Sequence, residues 1–165
     1  MYKGTFHAAV AWLLALNLGS IACAQVSPDA VSIRAIAEVE VRTVEQGREI
    51  TRLAPADRLV SGDAVMYTLE VHNAAATSAR APTVTFPVPQ HLSYVAESAV
   101  GPGTEISYSV DGGRSFDVPE NLKVKDSDGQ MHTAGAADYT HIRWQLKNAL
   151  KGNSVAFVRF RARVK

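Results

Sequence analysis

The residues best placed to do chemistry lie at 108–116, Tyr-Ser-Val-Asp-Gly-Gly-Arg-Ser-Phe, where hydroxyls flank a carboxylate beside two glycines. In a tight turn Asp111 can accept hydrogen bonds from the neighbouring amides. Gly112 and Gly113 can supply positive φ, and Phe116 can fold back to anchor the turn to the core. That chemistry is local and structural. It predicts a self-satisfied turn built on Ser109, Asp111, Gly112, Gly113 and Phe116.

The same string, Ser-x-Asp-x-Gly-x-Ser-aromatic, looks like the Asp-box on the blades of sialidases, which makes glycoside cleavage the first activity to weigh. A propeller repeats the motif blade by blade with a strand quartet each time. The chain holds one copy, too few for that fold. Other catalytic patterns are equally sparse. His72, His91, His132 and His141 sit at no zinc-binding spacing, and no Gly-x-Ser-x-Gly elbow is present. Asp126-Ser-Asp-Gly129 resembles the start of a calcium loop, with Asp126 and Asp128 as the candidate ligands. It lacks a bidentate Glu at the required offset, so a plain turn is expected. An intramolecular Lys–Asn crosslink would need a lysine in an early strand, yet none occurs between Lys3 and Lys123. The reading is a non-enzyme without a cofactor.

The chain has 165 residues, with 17 Lys and Arg against 16 Asp and Glu. A balance this close to neutral argues against nucleic acid as a partner. Met1-Tyr-Lys3, the apolar run at 8–16 and Ala22-Cys-Ala24 read as a secretory signal peptide over residues 1–24. The alternative is a lipoprotein signal acylated at Cys23. Cleavage after Ala24 leaves 141 residues, suited to one domain at 25–165 with no cysteine and hence no disulfide. The expected destination is the periplasm, the outer surface or the extracellular space. No later apolar run is long enough to span a bilayer.

The elements that must position these residues alternate with period two, the signature of strands with one buried face. In 31–41 the odd positions are apolar, giving one long half-buried strand. Glu45-Gln-Gly47 reads as a hairpin turn into a strand over 48–53 that ends at Pro55. In 64–73, Val65, Tyr67, Leu69 and Val71 share a face. In 82–89, Val84, Phe86 and Val88 are in step, and the prolines favour an edge strand or a bulge. Further strands are expected at 92–95, 104–110 (one arm of a hairpin tipped by the Asp111 turn), 139–146 and 154–164. Many short strands without a helix predict an all-β, immunoglobulin-like antiparallel β-sandwich.

Three segments carry a family likeness: Val60-Ser-Gly-Asp-Ala-Val-Met-Tyr-Thr-Leu-Glu-Val-His-Asn73, Pro82-Thr-Val-Thr-Phe-Pro-Val-Pro-Gln-His-Leu-Ser-Tyr-Val95 and Ser107-Tyr-Ser-Val-Asp-Gly-Gly113. Together they resemble the bacterial conserved-repeat domain of unknown function that is number eleven in its series, over about residues 38–165. The resemblance implies an immunoglobulin-like sandwich exported to a bacterial surface and implies no catalytic residues. One copy behind a signal peptide favours a stand-alone subunit over a stalk. The expected role is structural or adhesive, in a fimbrial-like or surface assembly. Glu38 and Glu40 on the first strand and Arg159, Arg161 and Arg163 on the last would pair if those strands are neighbours. The partner expected is protein, including self-association by strand addition in which the N-terminal strand leaves its own sandwich to complete the edge of the next copy, with Val31, Ile33 and Val39 filling a groove. The alternative is a binding module for carbohydrate or calcium on the loops around Asp111 and Asp126.

Overall fold

A computed structural model describes residues 31–165; the expected signal peptide, with Cys23, lies outside the described residues. The chain runs through β1 (Val31–Glu45), β2 (Arg48–Pro55), β3 (Ala64–Asn73), β4 (Thr83–Pro87), β5 (Leu92–Tyr94) and β6 (Thr104–Ser109). After a 3-10 turn at Pro119–Asn121 come β7 (Lys123–Lys125) and β8 (Met131–Thr133). A second 3-10 turn at Ala136–Asp138 leads to β9 (His141–Leu146) and β10 (Ser154–Val164). All pairings are antiparallel. A five-stranded sheet of order β2-β1-β3-β10-β5 packs on a three-stranded sheet of order β4-β9-β6, and β7-β8 form a separate ribbon.

This is the all-β antiparallel sandwich expected from the alternation. Its connectivity departs from the usual immunoglobulin order. The last strand lies inside the larger sheet, between β3 and β5, rather than in the smaller one. The core interleaves Val65, Leu69 and Val71 of β3 and Val158, Phe160 and Ala162 of β10 with Val84, Ile142, Trp144 and Leu146 of the smaller sheet. Tyr67 stacks on Phe160 at 4.9 Å between ring centroids, and Trp144 closes on the same ring at 6.1 Å. Each such side chain contributes about 1.5–3 kcal/mol by leaving water. Pro82, Pro87 and Pro89 frame β4, which lies at the edge of its sheet, where a missing amide proton costs no ladder bond.

Two local devices fix the loops. Glu45 and Arg48 pair across a two-residue turn whose central Gln46 and Gly47 have φ of 50° and 75°, the geometry that matches strand twist in a tight hairpin. Asn73, fully buried at the end of β3, ties two loops together. Its Nδ2 donates to the carbonyls of Thr77, Leu150 and Lys151 at 2.9–3.0 Å, and its Oδ1 accepts from the Ala75 amide at 3.1 Å. Gly152 approaches the Ala76 carbonyl so closely that a Cβ there would clash with backbone.

Candidate interaction surface

β1 changes partner along its length. Residues 31–39 pair with β3, and residues 38–45 pair with β2. On the side away from β3, the last hydrogen bond runs from the Ala56 amide to the Ala37 carbonyl at 3.1 Å. The edge of 31–36 therefore has no partner strand among the described residues. Along that edge only Arg34 is charged, and it leans onto Glu70 at 3.5 Å.

The odd positions of β1 lie opposite the inward residues of β3, with Ile33 across from Val71 and Val39 across from Val65. Alternation predicts half-burial for all of them. Val31 and Val39 are half-buried, but Ile33 is 44% exposed and Val41 39% exposed. The correction has a plain cause. The smaller sheet does not reach over β1, so its apolar face has no opposing layer. Every core side chain comes from β3 or later in the chain, and β1 contributes only Val31 at the margin. The body of the sandwich is thus β3-β10-β5 on β4-β9-β6, with β1 and β2 appended along one side.

The expected charge pairs are corrected in the same way. The first and last strands are not neighbours, because β3 runs between them. Glu40 and Arg161 still meet across the outer face of β3 at 3.2 Å. Arg163 turns instead to the Gly62 carbonyl at 2.7 Å. Glu38 and Arg159 form no ion pair among the described residues. An exposed pair such as Glu40–Arg161 contributes only about 0.2–1 kcal/mol.

The Asp111 turn is self-satisfied as predicted. Asp111 Oδ1 accepts from the Ser109 hydroxyl at 2.7 Å and from the Arg114 and Ser115 amides at 3.0 Å, and Oδ2 accepts from the Ser115 hydroxyl at 2.6 Å. The Ser115 hydroxyl first, then its amide and Ser109, hold the carboxyl well below the usual Asp range. Gly112 and Gly113 take φ of 79° and 85°. Two expectations here are corrected. β6 pairs along its length with β9, and the expected hairpin is reduced to a single antiparallel bridge that closes the turn, Tyr108 and Asp117 exchanging backbone bonds at 2.9 and 3.0 Å. Nor does Phe116 reach the core. It lies half-buried on the outer face of the smaller sheet, with the Arg143 guanidinium 3.5 Å from its ring centroid.

Asp126 caps the β7-β8 turn, its Oδ1 accepting from the Asp128 amide at 3.0 Å and the Gln130 amide at 2.8 Å. Among the described residues no three His, Cys, Asp or Glu side chains gather in a metal-holding group, and no helix is long and apolar enough to cross a membrane. Sequence reading passed over the convergence of Tyr94, Tyr108 and Tyr139, whose rings pack at 4.5–5.8 Å beside the Asp111 turn. The signal was in their strand positions, but no spacing in the sequence joins them.

No protein-family model, curated protein or solved structure matches this chain.

Proposed function

We propose that the chain is an exported structural or adhesive subunit of a bacterial envelope, assembled by strand pairing at the open edge of β1. One observation carries the reading: among the described residues, 31–36 present an unpaired backbone edge with exposed Ile33 beside it. Exposed edges are normally blunted by charge, proline or a short strand. Here β1 is 15 residues long and its first half has one charge and no proline.

A second copy is the partner that this edge fits. Antiparallel pairing about Ile33 sets Ile33 against Ile33 and Arg34 against Ser32, so no like charges meet. The added ladder satisfies the free amides and carbonyls, and the apolar face of each β1 extends across the junction. The resemblance to exported repeat domains and the expected signal peptide support an assembly outside the cytoplasm. The Asp111 and Asp126 carboxylates are already spent on their own turns, which draws the reading away from a calcium module.

Light scattering of the purified chain over a concentration series tests the proposal. Dimer is expected at high concentration, and Ile33→Lys and Ala35→Lys, which bring charge to the edge without touching the core, are expected to shift it to monomer. A monomer at every concentration, or a dimer indifferent to both substitutions, refutes it.

A further inference from the structure

A cavity of about 260 Å³ opens between the end of β5, the Pro119–Asn121 turn and the Ala136–Asp138 turn. Its walls include Tyr94, Tyr108 and Tyr139, and its rim includes Glu97 and Glu120. The tyrosines pack ring on ring, Tyr108 stacked on Tyr139 at 4.5 Å.

The polar inventory of this cavity is incomplete. Tyr94 Oη accepts from the Ala99 amide and shares a hydrogen bond with Tyr108 Oη, each at 3.0 Å. The Tyr139 hydroxyl has no hydrogen bond to any described residue and, unlike Thr43 Oγ1 and Trp144 Nε1, is not sealed from solvent, so it is open to a partner in the cavity. Glu97 and Glu120 form no ion pair with any described lysine, arginine or histidine. Burial first, then Tyr94 and the charges of Glu120 and Asp138, raise Tyr139 above the usual phenol range. Tyr108 is raised by burial, Tyr94, Tyr139 and Glu97. The hydroxyls and the carboxylates therefore lie within electrostatic reach of one another. Glu97 also holds φ of 58°, a strained value for a residue other than glycine.

We infer that this tyrosine-lined cavity binds a primary ammonium group, supplied by a lysine side chain or a free alkylamine. An ammonium carries three N–H donors and one positive charge. Two rim carboxylates and the open lone pairs of Tyr139 and Tyr108 complement both, and charge-assisted bonds of this kind are the strong ones. The cavity has the size for one side chain rather than a drug-sized ligand. The inference stands apart from the pairing edge, since β1 contributes nothing to the cavity.

The test is a titration of the whole chain, read by the ring resonances of Tyr108 and Tyr139. The probes are n-butylammonium, a capped lysine peptide and the same peptide acetylated at Nε. Saturable shifts are expected with the two cations and none with the acetylated peptide. Glu97→Gln with Glu120→Gln is expected to weaken binding about tenfold or more, and Tyr139→Phe severalfold. The two Glu are exposed, and Tyr139→Phe removes one oxygen, so all variants keep the packed rings; near-UV dichroism checks this. Equal affinity for both cations assigns a free amine, and a peptide about tenfold tighter assigns a protein lysine. No saturation by roughly 50 mM, equal binding of the acetylated peptide, or full binding by the double Gln variant overturns the inference.

Discussion

At the scale of single residues, stability rests on a few polar side chains that close loops as much as on the apolar core. Asn73 is the clearest case, because four backbone groups of two loops use one buried amide. Asn73→Ala is expected to cost about 3 kcal/mol, since those backbone groups lose their partner where water is largely excluded. Urea unfolding followed by Trp144 emission measures it, and a loss under about 1 kcal/mol would mean the loops hold without the amide. Asp111 is organised differently. All its bonds stay within its own turn, and the turn lies on the surface. The conspicuous string in the sequence therefore has only local reach, whereas Asn73, in a plain strand, joins residues 77 positions apart.

At the scale of elements, β1 and β2 should behave as a less stable unit than the body. β1 ladders with β3 over 31–39 and with β2 over 38–45, but neither strand supplies a side chain to the buried core. Local opening costs least where few buried contacts are lost. Amide exchange is expected to be fastest in β2, slower in the first half of β1, and slowest in β3 and β10; equal protection in β2 and β10 would contradict this layering. Much of this architecture was legible from alternation alone. The strand over 154–164 and the inward sets of β3, β4, β9 and β10 follow from period two, and the prolines mark β4 as an edge. What alternation lacks is the opposing layer. It tells which face of β1 is apolar, not that the smaller sheet stops short of it. The same gap misplaced Phe116, whose spacing predicts a return to the sheet but not to which face. Neither the strand between β1 and β10 nor the meeting of Tyr94, Tyr108 and Tyr139 has a local cause, so only the fold shows them.

At the scale of the whole molecule, the question is whether β1 adds to an edge or leaves its sheet to complete another copy. Departure would strip β3 of its whole register from Val31 to Val39 and expose a second edge beside Val65, Leu69 and Val71. Addition at the free edge keeps that ladder and gains another, so it is the lower-cost route. The two routes differ in symmetry. Antiparallel addition about Ile33 is self-complementary and closes at two copies, whereas donation from copy to copy runs on without closing. A cysteine reports which occurs. In a Cys23→Ser background, Ile33→Cys faces its own copy across the junction, at the roughly 4–5 Å Cβ separation that a disulfide tolerates. Oxidation should then yield a covalent dimer and nothing larger, while Val44→Cys, at the far end of β1, should stay monomeric. A ladder of higher species would point to donation, and an unreactive Ile33→Cys would remove the pairing edge from the account altogether.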